Sequence, residues 1–374
     1  MNSIALRMLL GDTTKFLALV FGLTFSTTLV IQQGSIFTGI LRRAGVAIES
    51  VPQADIWVMH PASTHYDARR PIEDTALQRV QGVEGVEWAQ RLFVGAGSAQ
   101  LPDGSFTPVQ IIGVERDSKL GLPEKTNPEQ AAQIETQDAV LWDGMSMAAY
   151  QHIQAGDVLQ INDLRARIGG VVQGARSFTG MPAIYTTYER ALEFAPGERK
   201  RLTYVLAHVR PGFDHREVAR SIEAATGLGA RTASDFFWST VFFFMRNTGI
   251  ALNFAVTISL GLIVGIAVAG QTFYTFTNEN IKHFASLKAM GIGRRSLVRM
   301  VLLQALVVGL IGWGLGCGIA AVFGANMSPD SVLAFLLTPH LLLISGVTTL
   351  ATVLGAAALS IRRVLHVEPA MVFK

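Results

Sequence analysis

The chain has one cysteine in 374 residues, Cys317, and it lies inside an apolar run. A domain stapled by disulfides is therefore excluded. Charge is missing over four long stretches. Lys15 to Arg42 encloses 26 uncharged residues, Arg246 to Glu279 encloses 32, Arg299 to Asp330 encloses 30, and Asp330 to Arg362 encloses 31. A helix needs roughly 20 apolar residues to cross a bilayer, so each stretch holds one span. No Asp, Glu, Lys or Arg stands near the centre of any span, which argues against an ion-coupled transporter and against a channel with a charged filter. The eight histidines are scattered, with no His-Glu-x-x-His and no Cys/His zinc spacing. His340 is the one base at bilayer depth that could serve an intramembrane serine protease, and it sits at a helix edge. Gly265-x4-Gly270-Gln271-Thr272 has glutamine where a phosphate loop requires lysine, so it reads as small residues at a helix contact.

What is present is a membrane protein of defined layout. Half of the residues are hydrophobic and the mean hydropathy is positive, +0.36, outside the range of most soluble domains. One span is followed by a large soluble domain and then by three closely spaced spans. The first stretch, Phe16–Ile31, is longer than a usual signal-peptide core, and Gln32-Gln33-Gly34 offers no cleavage site, so it reads as a retained span. Outside Arg42–Arg246 there are ten Lys or Arg, all in the N-terminal arm, the loop between spans two and three, or the tail. The positive-inside rule then places those parts in the cytoplasm and the large domain outside. That domain carries 21 basic and 24 acidic residues, a net −3, against +7 for the cytoplasmic parts.

The expected organisation is an α-helical membrane protein with four transmembrane helices in a one-plus-three arrangement and a large α+β domain between the first two. Residues 1–15 form a short interfacial helix, and 16–40 form span one, continuing as helix beyond the bilayer because Gly34–Ser50 contains no proline. Residues 41–245 form the external domain. Span two covers 246–271, after an aromatic cluster, Asp235–Met245, that suits the headgroup belt. A cytoplasmic loop covers 272–297, span three 298–323, a short external loop 324–338, span four 339–361 and the tail 362–374. Within the external domain two β-α-β units face each other across a duplication: Ala54–Met59, Ile72–Val80 and Val86–Val94, then Thr203–Val209, Phe213–Ala225 and Gly229–Thr232. They place one half at 50–108 and the other at 190–234. Residues 109–189 form an inserted β-rich part with strands at Val109–Val114, Asp157–Ile161, Arg167–Val172 and Ala183–Thr187.

Two sets of residues stand out. Gly261/Gly265, Gly312/Gly316 and Gly314/Gly318 are four apart, the spacing of close helix contacts within a bundle or a dimer. In the cytoplasmic loop, Ile281, Phe284, Leu287 and Met290 make an apolar stripe at threefold spacing on a short helix, ended by Gly291 and Gly293, with Arg294-Arg295 opening the next. Such a helix either lies on anionic headgroups or docks its stripe into a partner's groove.

The topology, the segment Glu279-Asn-Ile-Lys-His-Phe-Ala-Ser-Leu-Lys-Ala-Met-Gly291, the pair Phe273-Tyr274 and the tail Arg362-Arg-Val-Leu-His-Val-Glu-Pro-Ala-Met-Val-Phe373 resemble the FtsX/MacB-type (type VII) ABC permeases, most of all the DevC-type exporters. The resemblance covers the whole chain in layout and about 100 C-terminal residues in motif. It implies a homodimer in which each copy engages a separate ATPase subunit that binds ATP and Mg, with no cofactor in the permease itself and no nucleic acid. It implies that Glu279, Ile281, Phe284, Leu287, Lys288, Met290 and Gly291 belong to the ATPase-coupling helix. It also implies a periplasmic domain with a membrane-proximal porter portion, which meets a membrane-fusion adaptor and an outer-membrane duct. The chain lacks a Walker motif and is expected to be non-catalytic by itself. The implied function is export of an amphiphilic cargo by mechanotransmission through the inner membrane. The alternatives are an FtsX-like complex that switches a periplasmic partner without moving cargo, and an anchored binding domain with no ATPase. Gln304 stands where many relatives carry an acidic residue, and no role is read for it.

Overall fold

The structure, a computed structural model, describes residues 2–136, 138–144, 152–174, 178, 180–195, 201–327 and 334–366. These fall into two compact units, one of residues 2–39, 249–327 and 334–366, the other within 40–248. Part of the expected short loop 324–338 (residues 328–333) and the tail from residue 367 lie outside the described residues.

The first unit is helical. Helix α1 spans Asn2–Gly11 and α2 Thr13–Glu49, a proline-free run of 37 residues that reaches past the expected end of span one into the second unit. Four helices are long and apolar enough to cross a membrane: α2, α8 (Ile250–Glu279), α10 (Arg294–Ala325) and α11 (Pro339–Leu365). A short helix, α9 (Ile281–Ala289), joins α8 to α10. The core of this unit gathers Ala5 and Leu9 of α1, Leu19 and Leu23 of α2, Phe273 and Phe276 of α8, Met300 and Val308 of α10, and Val353 and Ala357 of α11.

The second unit is built on strands β1 (Ile56–Met59), β2 (Val86–Gln100), β3 (Phe106–Val114), β4 (Ala139–Asp143), β5 (Val158–Ile161), β6 (Leu164–Val172), β7 (Ala183–Thr187), β8 (Tyr204–Val209) and β9 (Gly229–Thr232). Helices α3 (Ala76–Gln81), α4 (Pro128–Gln133), α5 (Tyr188–Phe194), α6 (His215–Thr226) and α7 (Ala233–Asn247) complete it. The two β-α-β units interlock, in the order β2-β8-β1-β9 with every neighbouring pair antiparallel. Each unit thus inserts one strand between the two strands of the other, the split β-α-β arrangement of ferredoxin-like folds. Strand β1 is buried on both faces. Ile56 and Val58 enter one apolar cluster and Trp57 and Met59 another, as alternation along a strand requires. Trp57 packs edge-on against Tyr66 and Tyr204 at centroid distances of 6.1 and 5.4 Å.

Helix α6 shows how local chemistry sets an element. The Asp214 carboxylate accepts from the backbone N–H groups of Arg216 and Glu217 at 2.9 and 3.0 Å, capping the first turn. Val218, Ala219 and Ile222 then form the buried face.

The inserted strands continue the same sheet. Strand β2 pairs with β8 from Val86 to Leu92, with β3 from Leu92 to Gln100, and with β5 at Ala99 and Gln100. Pairings β3–β7, β7–β4, β4–β6 and β6–β5 close a ring of six strands through β2. This differs from expectation in three places. Strand β2 runs six residues beyond Val94, because Gly95-Ala-Gly-Ser-Ala-Gln100 has weak β propensity and is held extended by its partners. The expected boundary at 108/109 falls inside β3. Strand β4, five residues buried throughout, and helix α4, which carries an Asn127/Gln130 capping box, were not expected from the sequence.

Candidate functional site

The expected coupling residues lie on and around α9, and the structure divides them. Phe284 is 1 % exposed and Leu287 8 %, both within the core of the helical unit. Ile281 is half-buried, whereas Met290 is 71 % exposed. The stripe is therefore split: its two middle residues anchor α9 to its own chain, because the unit's core closes over them. The face left outward carries Lys282, His283, Ala289 and Met290.

The ends of α9 are fixed as well. Gly291 adopts φ +88°, open to glycine at little strain. The N–H of Gly291 donates to Lys288 O at 3.1 Å and that of Ile292 to Leu287 O at 3.1 Å. This is the Schellman arrangement, so Gly291 stops the helix rather than forming part of its face. Lys288 Nζ donates to the Leu365 carbonyl near the end of α11 at 3.4 Å. Glu279, at the end of α8, pairs with Lys15, whose ammonium also meets Asp12 at 2.7 Å. The linker between two spans is thus tied to α2 and to α11.

The packing glycines are placed inside the bundle. A Cβ on Gly261 would lie 3.2 Å from Leu29, and Ser26 Oγ donates to the Gly261 carbonyl at 3.0 Å. A Cβ on Gly265 would strike Ser26. Those on Gly312 and Gly316 would lie 2.7 Å from Leu23 and Thr27. All four let α8 and α10 approach α2 of the same chain. Gly314 and Gly318 face open space. Gly265–Thr272 is continuous α-helix rather than a phosphate-binding loop.

Two features escaped the sequence reading. Gln304 is 1 % exposed, and its Nε2 donates to the Ala5 carbonyl at 2.8 Å. A lone amide in an apolar helix was the available signal, since a buried amide needs a partner. The second is a cleft between α8 and α11 lined by Gln271, Tyr274, Arg362 and His366, which no sequence spacing connects. Among the described residues, no three His, Cys, Asp or Glu side chains come together as a metal site.

Comparison with known proteins matches both parts of the chain. Residues 16–225 match the model of the MacB-like periplasmic core domain, and residues 255–369 that of the FtsX-like permease C-terminal region. An uncharacterized ABC transporter permease of Mycobacterium tuberculosis is 25 % identical over 366 residues, covering 94 % of this chain and 93 % of its own length. Another, of Mycobacterium bovis, is 24 % identical over 359 residues with the same coverage. Among solved structures, the periplasmic region of MacB from Actinobacillus actinomycetemcomitans aligns at 11 % identity and a TM-score of 0.37, covering 51 % of this chain and 94 % of that one. The extracellular domain of the transporter YknZ from Gram-positive bacteria aligns at 12 % identity and a TM-score of 0.34, covering 48 % of this chain and 98 % of that one. Four apolar helices and the two family models, which between them span the large domain and the C-terminal helices, make this chain a multi-pass member of the FtsX/MacB family of ABC transporter permeases.

Proposed function

We propose that this chain is the non-catalytic permease subunit of an ATP-driven exporter that works by mechanotransmission. A separate ATPase subunit binds ATP and Mg and docks on the outward face of α9. The construction of α9 carries this reading. Its inner face is sealed by Phe284 and Leu287 and its ends are tied by Gly291, Lys288 and Glu279, while Met290 stands in the open. A force applied to such a helix moves α8, α10 and α11 with it instead of bending a loop. Helix α2 supports the next step. Its 37 residues span about 55 Å at 1.5 Å per residue, well beyond a hydrocarbon core of roughly 30 Å, so the helix continues past the bilayer.

The ten basic residues at the loop and tail positions support cytoplasmic termini and a large domain on the periplasmic side of the inner membrane. The absence of charges near the span centres suits a machine that acts on an amphiphilic cargo outside the bilayer rather than through a polar path. The complex is a homodimer that meets a membrane-fusion adaptor and, through it, an outer-membrane duct.

The test is co-purification with the candidate ATPase, followed by ATPase rates in lipid nanodiscs for wild type and Met290→Asp. The expected result is a stable wild-type complex whose activity the exposed charge abolishes while the chain stays folded. Failure of the wild-type chain to bind any candidate ATPase would return it to an anchored binding domain.

A further inference from the structure

The cleft between α8 and α11 is about 810 Å3, within the range of sites that hold a small ligand. Its lining changes character along α8. Ile266, Ala267 and Gly270 form an apolar wall deeper in the span, and Gln271 and Tyr274 follow toward the end that leads into α9. Arg362 of α11 and His366, just past its end, stand at this polar mouth.

One of the two basic side chains, Arg362, is set up to receive an acceptor. Arg362 is exposed and has no acidic partner among the described residues. His366 Nδ1 lies 2.7 Å from the Arg362 carbonyl. A carbonyl only accepts, so Nδ1 carries the proton and Nε2 is left as an acceptor for a hydroxyl.

From this gradient we infer that the cleft is a binding site for an anionic phospholipid, with the phosphate at Arg362, a headgroup hydroxyl at His366 Nε2 and an acyl chain against Ile266, Ala267 and Gly270. Basic pockets between transmembrane helices take such headgroups, and bidentate guanidinium–phosphate contacts supply the orientation. A free phosphate leaves the apolar wall unused. A second copy of the chain is a poorer occupant where the twofold axis passes through the groove, since that brings Arg362 toward Arg362. The site adjoins the coupling linker, since Lys288 of α9 donates to Leu365, three residues beyond Arg362. Lipid in the cleft braces the end of α11 on which α9 rests.

Native mass spectrometry of the full chain, with phosphatidylglycerol or phosphatidylcholine of identical acyl chains, tests this. Wild type is expected to retain phosphatidylglycerol over phosphatidylcholine by about fivefold, the effect of one basic residue at an anionic surface. Arg362→Ala should abolish that preference and leave phosphatidylcholine binding unchanged. Gly270→Leu, whose side chain enters open space, should fill the groove and reduce both lipids. Gly355→Leu, also directed into open space but outside the cleft lining, is the matched control and should leave both unchanged. Equal retention of the two lipids by wild type overturns the proposal. So does an unaltered preference in Arg362→Ala, undiminished retention of both lipids by Gly270→Leu, or full displacement of the lipid by sn-glycerol 3-phosphate, which marks a site for the free anion.

Discussion

Gln304 and Ala5 are 299 positions apart in the chain and joined by a buried 2.8 Å hydrogen bond that fastens α1 to α10. An amide–carbonyl bond inside a bundle stabilises by about 0.6 kcal/mol on average, which adds to the burial of Ala5 and Leu9 in holding α1. Gln304→Leu removes the donor and keeps the apolar bulk. The expected result is about threefold faster tryptic cleavage at exposed Arg7, since cleavage through local opening follows the opening equilibrium. The overall melting temperature should change little.

The partition of α9 predicts opposite behaviour for neighbouring substitutions. Leu287→Ala or Phe284→Ala opens a cavity in the helical core and should destabilise by about 2–5 kcal/mol, read as lower thermal stability in detergent. Met290→Ala should leave stability within about 0.5 kcal/mol of wild type and affect only assembly with the ATPase. A large loss of stability from Met290→Ala would show that its exposure is misjudged.

The glycines separate in the same way. Gly316→Val must displace Thr27, 2.7 Å from the new Cβ, at a cost of about 1–3 kcal/mol for overpacking. Gly314→Ala and Gly318→Ala meet nothing within 4 Å and should leave the purified chain's melting temperature unchanged. The fourfold spacing was plain in the sequence, but all three glycine pairs share it. Which pair touches a neighbour depends on how α10 is rotated about its axis, and only tertiary packing sets that.

The ring of strands is closed at Asn162. With Asp163 it forms the two-residue turn between β5 and β6, at φ +45° and +67°, as a type I′ hairpin requires. Its N–H donates to Ser98 O and its Oδ1 accepts from Ser98 N, each at 2.9 Å, while Nδ2 donates to Phe194 O at 2.6 Å. Asn162→Gly keeps the turn and loses the side-chain bonds, about 1–2 kcal/mol. Asn162→Ala adds left-handed backbone strain of about 1–2 kcal/mol. Thermal unfolding followed by tryptophan fluorescence should rank wild type above Gly and Gly above Ala.

His65 stacks on Phe243 with centroids 3.6 Å apart and planes 8° apart. Burial disfavours the imidazolium and moves its pKa below the ordinary value, partly offset by Asp67. In the window below the unfolded pKa of about 6.5, the unfolded chain therefore binds a proton that the folded chain does not. The contribution is fully present above that value and declines as pH falls through it. Subtracting the melting curve of His65→Leu from that of wild type between pH 7.5 and about 5 should leave a residual that falls toward acid pH. A flat difference would place His65 in water.

The spans, the β-α-β duplication and α9 were legible because each rests on a local pattern: uncharged runs, period-two or period-three apolar residues, and terminal glycines. The inward turn of Phe284 and Leu287 was not, because an apolar stripe on a short helix reads the same whether it meets its own chain or another. The cleft at Arg362 was not legible either, since its residues come from two helices more than 80 positions apart. The closed ring hides in the second half of β2, whose glycines and polar residues look like a loop until its neighbours are known.

Because Val86–Gln100 serves two sets of partners in one unbroken strand, the large domain has no seam at which evolution or a designer can cut. A chimera that grafts another permease's β-rich part at the 108/109 boundary would sever β3 and leave the distal half of β2 with foreign neighbours. Inheritance here comes in blocks: Val86–Gln100 travels whole with the strands on both sides of it, or the recipient loses the strand that holds both halves in register.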